Sequence, residues 1–191
     1  MIYFHLFYNF LLYGMGTGEK SKIGILSNAK VLIKYFTSNV NSIRIEASSK
    51  CQLKCPICPT GKGLTKSEVI GWGHLKFENF KDFIDKNPSI KNIELSNWGE
   101  IFLNPELKDI IRYAAEKNIA LSAGNGVNLN SISEEMIECL VKYKFRCLRV
   151  SIDGASSKTY EIYRKGGSFD KVIENIKKIN NNKKKHGSKH P

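Results

Sequence analysis

Hydrophobic residues follow two periods that take turns along this chain. Ile43 and Ile45 alternate with polar neighbours, which predicts a short strand, and Phe77, Phe80 and Ile84 then recur at the spacing of a helix. The same succession follows three more times, with strands near 93–95, 119–123 and 148–152 and helices near 107–115, 132–143 and 170–179. This strict alternation predicts an α/β fold with a parallel sheet and right-handed crossovers, either open or curled toward a barrel.

Capping and turn residues mark the ends of several predicted elements. Asn104 and Pro105 fit the cap and first position of the second helix. Ser131 with Glu134 fits a capping box at the start of the third helix. The glycine-rich turn at 124–126 is predicted to close the third strand.

Residues able to bind or react cluster where the predicted strands end. The carboxyl ends of parallel strands meet at one edge of a sheet, and this edge is where such folds bind ligands. Ser151 and Asp153 are predicted to share one face of the fourth strand, because strand residues alternate in direction. We therefore expect a shared site. Its candidate residues are Cys51, Cys55, Cys58, Gly99, Glu100, Asn125, Ser151 and Asp153.

The spacing C-x-x-x-C-x-x-C places Cys51, Cys55 and Cys58 on one tight loop. Three soft thiolates at this spacing suit three corners of an iron–sulfur cubane. A ferredoxin normally closes its cluster with a fourth cysteine, and structural zinc also takes four ligands, so an open iron suggests a bound cofactor or substrate. His74 is a candidate fourth ligand, although a lone histidine is more often an ordinary packing or surface residue.

Composition narrows the class of protein. With 191 residues, 41% of them hydrophobic and 25% charged, the chain is predicted to be globular with one main domain. The net charge of +12 raises the question of nucleic acid, but the basic residues are scattered and no binding motif accompanies them, so nucleic acid is not an expected partner. Five cysteines, three of them crowded together, favour a reducing, cytoplasmic location over a disulfide framework.

The chain is predicted to have three parts. Residues 1–40 form an N-terminal extension with an apolar, aromatic start and a helix, residues 41–180 form the core, and residues 181–191 form a basic tail. The apolar start lacks the basic flank of a signal peptide and the length of a membrane span, so we expect no membrane partner. Met15 is an alternative beginning of the protein.

Three segments, in order, resemble landmarks of the radical S-adenosylmethionine (SAM) enzymes. The segments are KCQLKCPICPTGKG, LSNWGEIFLNPEL and VSIDGASSKTYEIYRKGGSFDKVIENI. The resemblance covers roughly residues 43–179 and is greatest for the branch whose members often carry a C-terminal SPASM extension. It implies a partial TIM-like barrel of parallel β/α units, of which this chain holds about four of the usual six.

The resemblance also implies the chemistry of the site. Cys51, Cys55 and Cys58 would ligate a [4Fe-4S] cluster, and the amino and carboxylate groups of SAM would chelate the fourth iron. One electron would then cleave SAM to methionine and a 5′-deoxyadenosyl radical, which abstracts hydrogen from a substrate. The protein would supply positioning and electrostatics.

Other residues match segments that meet SAM in this family. Gly99 and Glu100 match the segment at the methionine ammonium, and Ser151 and Asp153 match the one at the ribose. Ile57 stands where relatives contact adenine through their backbone. The residues predicted to bind the cofactor are Ile57, Gly99, Glu100, Asn125, Ser151 and Asp153.

Because the fifth strand would begin where the chain ends, the resemblance predicts a truncated or fragmentary member with weak activity alone. Its expected partners are a peptide or small-molecule substrate, such as a cofactor or cell-envelope precursor, and an electron donor of the flavodoxin or ferredoxin type. Two other classes stay open. One is an iron–sulfur electron carrier or scaffold that does not cleave SAM, and the other is a zinc-binding nucleic-acid module.

Overall fold

The structure is a computed structural model that describes residues 40–191, and in this part four strands lie side by side in chain order. Each strand is parallel to the next, with Ile43 opposite Ile93 and Ile93 opposite Leu121. The strands are β1 (Ser42–Arg44), β2 (Asn92–Glu94), β3 (Ala120–Val127) and β4 (Cys147–Val150). The predicted parallel α/β sheet is confirmed. Of the N-terminal extension predicted over residues 1–40, residues 1–39 lie outside the described residues.

Helices separate successive strands, as the alternating periods predict. The helix at Leu107–Glu116 illustrates the cause, because its apolar residues recur every three or four positions and the resulting stripe is buried in the core. The helices are α1 (Ser67–Ile70), α2 (Phe77–Lys86), α3 (Leu107–Glu116), α4 (Glu134–Lys142), α5 (Ser157–Tyr163) and α6 (Phe169–Lys185). Short 3₁₀ turns lie at Ile101–Leu103 and Leu129–Ser131.

The two faces of the sheet differ in chemistry. The face that packs in the core carries Ile43, Ile45, Ile93, Leu95, Leu121 and Ala123. On the opposite face, Arg44 is in register with Glu94, Glu94 with Ser122, and Ser122 with Cys147. Parallel sheets with helices on both faces are apolar on both. A polar face instead fits the partial barrel, in which the helices lie outside the curled sheet.

Glu94 is the centre of this polar face. Its carboxylate accepts hydrogen bonds from the Ser122 hydroxyl (2.7 Å), the Gly124 amide (2.8 Å) and the hydroxyl and amide of Ser96. Partial burial disfavours the charge, but the hydrogen bonds prevail and lower the pKa of Glu94. The sheet thus holds an ionised carboxylate between its second and third strands.

The third strand is longer than predicted. It continues to Val127, so the glycine-rich segment at 124–126 lies within the strand instead of closing it. The register with β4 shifts along this segment, because Ala123 is opposite Leu148 and Val127 is opposite Val150. Gly126 has a φ of 111°, which favours glycine. The turn residues therefore form a bulge in the strand rather than its end.

Two predicted helix caps were wrong in detail. Helix α4 is capped by Ser133, whose hydroxyl accepts from the Met136 amide, and not by Ser131. Helix α3 begins at Leu107, after a turn in which the Asn104 side chain accepts from the Glu106 amide. In both places a second polar residue near the helix start competes for the cap, and the sequence pattern alone does not rank the two.

Helix α6 is also longer than predicted, because it continues through Lys185 into the segment predicted as a basic tail. Helix α5 was not predicted. Its capping box joins Ser156 with Thr159, a pair that lacks the usual acidic or amide partner. Buried Tyr160 ties α5 to the core, and its hydroxyl accepts from the side-chain amide of Asn130 (3.0 Å).

Asn104 joins the segment after β1 to the segment before α2. Its side-chain amide is buried and donates to the carbonyls of Ala47 (2.9 Å) and Leu75 (2.9 Å). Replacing Asn104 with Ala removes one donor from each carbonyl, although the Ala47 carbonyl still accepts from the Leu75 amide (3.0 Å), so we expect a loss of about 1–3 kcal/mol in the free energy of unfolding. Urea denaturation measures it. Asn79→Ala, on an exposed helical face, is the matched control and should change stability by less than about 0.5 kcal/mol.

Candidate active site at the carboxyl edge of the sheet

The cysteine loop continues directly from the first strand. The Ile45 amide donates to the Glu94 carbonyl (3.0 Å) and the Ala47 amide to the Leu95 carbonyl (3.2 Å), so pairing with β2 extends past the regular strand. The chain then leaves the sheet at its carboxyl edge and reaches Cys51. The predicted placement of the loop after a strand is therefore what the structure shows.

The loop closes on itself around Cys55. The Cys58 amide donates to the Cys55 carbonyl (3.2 Å), and the Lys62 amide donates to the Cys58 carbonyl (3.0 Å). A Cβ atom at Gly61 would lie 2.8 Å from the Cys55 nitrogen, closer than side chains approach a backbone. Glycine is therefore required there so that the loop can fold back onto its own middle cysteine.

Asn128 links Cys51 to the carboxylate of Glu100. The Asn128 side-chain amide lies 4.0 Å from the Cys51 sulfur and donates to the Glu100 carboxylate at 2.7 Å. Gln52 holds Asn128 in turn, since its amide donates to the Asn128 side-chain oxygen (2.9 Å). Burial, with a smaller contribution from the nearby Glu100, raises the pKa of Cys51 to about 11.

Arg164 links Cys55 to the carboxylate of Asp153. One guanidinium nitrogen lies 3.8 Å from the Cys55 sulfur, and another is paired with the Asp153 carboxylate. Burial raises the pKa of Cys55, and the charge and hydrogen bond of Arg164 partly oppose this rise. A second cysteine is thus connected to a predicted cofactor residue by one side chain.

Glu100 is the most deeply buried acid of the site, with 2% of its surface exposed. Its carboxylate accepts from the Phe102 amide (3.2 Å) and from both the backbone (2.6 Å) and side-chain (2.7 Å) amides of Asn128. Burial outweighs these hydrogen bonds and raises the pKa of Glu100 to about 8. The group is therefore mostly protonated at neutral pH until a positive charge comes near it.

Gly99 allows the loop after β2 to press against the segment before Cys51. The Glu100 amide donates to the Lys50 carbonyl (2.8 Å). A Cβ atom at Gly99 would lie 2.6 Å from that same carbonyl oxygen and would overlap the Ser48 carbonyl. The Gly99 amide itself donates to the Glu46 carboxylate (3.1 Å). The close approach at Gly99 is thus made by the chain's own backbone.

The other predicted residues lie at the same edge with different partners. The Asn125 side chain donates to the Ser96 carbonyl (2.7 Å), and Ser151 pairs through its amide with the Val127 carbonyl (2.9 Å). Ile57 lies in the cysteine loop and is 75% exposed. The structure therefore joins Cys51 to Glu100 and Cys55 to Asp153, and it gives no such link to Asn125 or Ile57.

Two residues that connect the site were not assigned a role from the sequence. Asn128 follows the segment at 124–126, Arg164 lies within the third of the segments that resemble radical SAM enzymes, and neither is among the predicted site residues. The signal for Asn128 would have been its place just after a predicted strand end. The partners of Arg164 lie 109 and 11 residues away along the chain, so its contacts depend on the folded structure.

The three cysteines are spread along the loop and are not gathered around one point. Among residues 40–191, no three His, Cys, Asp or Glu side chains are grouped closely enough to hold a metal ion. Around a single zinc ion, sulfurs about 2.3 Å from the metal lie within roughly 4 Å of one another. In a cubane each cysteine binds a different iron, which sets the sulfurs farther apart. Three thiols on one loop, two of them near side-chain donors, fit a cluster.

Comparison with known proteins decides the family. The profile described as the Radical SAM superfamily matches residues 45–190. The chain belongs to the Radical SAM superfamily. Enzymes of this superfamily use a [4Fe-4S] cluster and SAM.

Within residues 40–191, each helix is too short or too polar to cross a membrane.

Two curated proteins have related sequences. An AdoMet-dependent heme synthase of Methanosarcina barkeri is 32% identical over 134 residues, which cover 69% of this chain and 36% of that protein. A probable GTP 3′,8-cyclase of Archaeoglobus fulgidus is 27% identical over 139 residues, which cover 73% of this chain and 44% of that protein. The chain thus spans less than half the length of these relatives.

A solved radical SAM structure has the same fold. The crystal structure of Streptococcus suis SuiB bound to precursor peptide SuiA matches with a TM-score of 0.61 at 18% sequence identity. The match covers 91% of this chain and 40% of SuiB. It confirms the predicted fold class, the partial barrel of parallel β/α units.

The raised pKa of Glu100 predicts a pH dependence of stability. The folded chain holds this proton more tightly than the unfolded chain, whose value is near 4.5, so the stabilisation is complete below that pH and is lost as pH rises to about 8. Between pH 5 and 8, the free energy of unfolding of the metal-free chain should fall more than that of Glu100→Gln, by on the order of 3 kcal/mol. Urea denaturation at several pH values measures both. Parallel curves would contradict the prediction.

Proposed function

We propose that this chain binds a [4Fe-4S] cluster through Cys51, Cys55 and Cys58 and binds SAM beside it at the carboxyl edge of the sheet. When bound, cluster and SAM supply one-electron cleavage to methionine and a 5′-deoxyadenosyl radical, which takes a hydrogen atom from the substrate. The observation that carries the proposal is a pair of side-chain links, which we call the bridges. Asn128 connects Cys51 to one acid, and Arg164 connects Cys55 to another.

The bridges prepare the cysteines to act as ligands. Iron is bound by thiolate, and hydrogen bonds donated to sulfur favour the thiolate over the thiol. Burial raises the pKa of Cys51 to about 11, so the metal-free loop holds a thiol there at neutral pH. Binding of iron therefore releases protons from this loop, and the donors from Asn128 and Arg164 help to hold the negative sulfurs afterwards.

The acids are suited to the two ends of SAM. Glu100 accepts three hydrogen bonds and a carboxylate offers about four acceptor positions, which leaves one for the methionine ammonium. Its buried setting strengthens the attraction to a positive charge. Asp153 remains 43% exposed although it is paired with Arg164, so it can still accept from ribose hydroxyls beside Ser151. The backbone of Ile57 would contact adenine, and Asn125 would bind the cofactor at the same edge.

The substrate is proposed to be a peptide or a small biosynthetic precursor. SuiB was crystallised with a precursor peptide, and the two curated relatives are named for heme synthesis and GTP cyclisation. The electron is proposed to come from a flavodoxin- or ferredoxin-type donor in a reducing, cytoplasmic compartment. Because the chain spans less than half of its curated relatives, we expect weak turnover by the 191-residue chain itself.

Anaerobic reconstitution with iron and sulfide tests the cluster. We expect about four irons and four sulfides per chain. Cys55→Ala should lower both by more than half because one corner of the cluster loses its ligand. Cys147→Ser is the matched control, since this thiol is exposed and lies outside the loop, and it should load fully. Addition of dithionite and SAM should then yield 5′-deoxyadenosine, detected by chromatography.

The same assay separates the competing functions. A full cluster with no 5′-deoxyadenosine would indicate an electron carrier or scaffold. One zinc per chain in place of iron, together with salt-sensitive binding of DNA, would indicate the zinc-binding nucleic-acid module. Either result would overturn the proposed function.

Asp153→Asn tests the proposed ribose contact. The substitution keeps the shape of the side chain but removes the charge that strengthens its hydrogen bonds to hydroxyl groups. We expect the Kd for SAM of the reconstituted chain to rise about tenfold, which corresponds to about 1.4 kcal/mol. Equilibrium dialysis with labelled SAM measures it. Iron content should stay unchanged, and an unaltered Kd would remove Asp153 from the cofactor site.

A further inference from the structure

One carboxylate holds the loop that leads to Glu100. Glu46 accepts a hydrogen bond from the Trp98 amide (3.0 Å) and another from the Gly99 amide (3.1 Å). The Asn97 side chain donates to the same carboxylate. Glu46, which is not among the predicted site residues, thus ties three successive residues of this loop to one acid.

The pleat of the first strand directs Glu46 to this loop. Ile45 and Ala47 are buried in the core, and successive side chains of an extended chain point to opposite faces. Glu46 therefore lies on the polar face of the sheet, two residues beyond Arg44. Because parallel pairing continues past the regular strand, this position is next to the segment that follows β2.

Another acid of the polar face has different partners. Glu94 already accepts four hydrogen bonds from Ser96 and from β3, which fill the acceptor positions that a carboxylate offers. Burial raises the pKa of Glu46, and the Trp98 and Gly99 amides oppose this rise. Desolvation makes a charge at Glu46 unfavourable, so its hydrogen bonds to the loop are what stabilise it.

The loop is anchored twice to the segment between the first strand and the cysteines. The Lys50 carbonyl accepts from the Glu100 amide (2.8 Å), and Glu46 accepts from the two amides before it. In a trans peptide the N–H and the carbonyl point in opposite directions, so these bonds set the orientation of three successive peptide units. The segment that holds them also enters the cysteine loop, and it therefore fixes Glu100 relative to the cysteines.

We propose that Glu46 is a positioning residue for the methionine end of SAM, acting through the peptide units that precede Glu100. The inference rests on the proposed function, because that function assigns Glu100 to the methionine ammonium. Gly99 has no side chain to restrict its peptide, so the partner of its amide does so. A site must hold its groups within about 0.5 Å of the working geometry, and hydrogen bonds to the groups behind them supply this precision. Glu46 acts without contacting SAM.

The first test measures the loop in the metal-free chain. Amide hydrogen exchange, followed by NMR, reports the bonds that Glu46 accepts. The internal reference is Ala47, whose amide donates to a backbone carbonyl. Relative to that amide, Glu46→Ala should speed exchange at Trp98 and Gly99 at least tenfold. Glu46→Gln should speed it less than threefold, because a single carboxylate oxygen lies within 3.2 Å of both amide nitrogens. Unchanged exchange in the alanine variant would overturn the proposal.

The second test measures SAM binding by the reconstituted chain with equilibrium dialysis. Glu46→Ala should raise the Kd for SAM at least tenfold, whereas Glu46→Gln should raise it less than threefold. The glutamine variant keeps the acceptor without the charge, so it rescues a positioning role. Iron content should match that of the wild type in both variants. Glu116→Ala is the matched control, since this glutamate is exposed at the end of α3, and it should change the Kd less than twofold.

Two outcomes would assign Glu46 a different role. Equal rises in the Kd of both variants, with slow amide exchange retained in Glu46→Gln, would show that the charge acts on SAM directly and would overturn the proposal. Loss of SAM binding together with loss of iron would overturn it as well, because Glu46 would then support the cysteine loop. Failure of the proposed function is distinguishable, since it appears in the wild type, as a chain that loads no cluster or, once loaded, binds no SAM.

Discussion

The site depends on a contact in which no side chain fits between two segments of backbone. Gly99 lies against the carbonyls of Ser48 and Lys50, and the adjoining amide of Glu100 donates to Lys50. The contact fixes the loop after the second strand to the segment that enters the cysteine loop. Because of it, the Glu100 carboxylate lies inside the molecule, where Asn128 connects it to Cys51. Parallel pairing brings the segments to one edge, and this contact sets how closely they meet.

The sequence was sufficient for the parallel α/β sheet and for the position of the cysteine loop directly after its first strand. Both depend on local pattern: alternation marks strands such as the one ending near Val150, and a stripe such as Leu107, Ile110 and Ile111 marks a helix. The association of Cys51 and Glu100 also followed, since consecutive parallel strands present their carboxyl ends together. Short-range periodicity and the topology of parallel sheets therefore predict these features without knowledge of any side-chain contact.

The helix caps and the hydrogen bonds of the site could not be predicted, because they depend on competing cap residues and on contacts between residues far apart in the chain. Ser131 and Ser133 both fit a helix cap, and packing gave the cap to Ser133 while Ser131 accepts a hydrogen bond from Gln52. The bridges through Asn128 and Arg164 join residues far apart in the chain, so neither has a spacing that a pattern search could detect. Helix boundaries and polar networks are decided by these contacts, which is why the sequence placed the candidate residues at one edge of the sheet but did not predict the hydrogen bonds that join them.

The polar face of the sheet limits what can come to rest on it. Glu94 is kept charged by hydroxyl and amide donors from the third strand and from Ser96, just after the second, in a row that also presents Arg44 and Cys147. An apolar group packed against that carboxylate would remove its water without supplying new hydrogen bonds, at a cost of several kcal/mol. Any molecule or segment that binds there must therefore donate hydrogen bonds to Glu94 or leave it hydrated. This face of the sheet thus favours polar ligands over apolar ones.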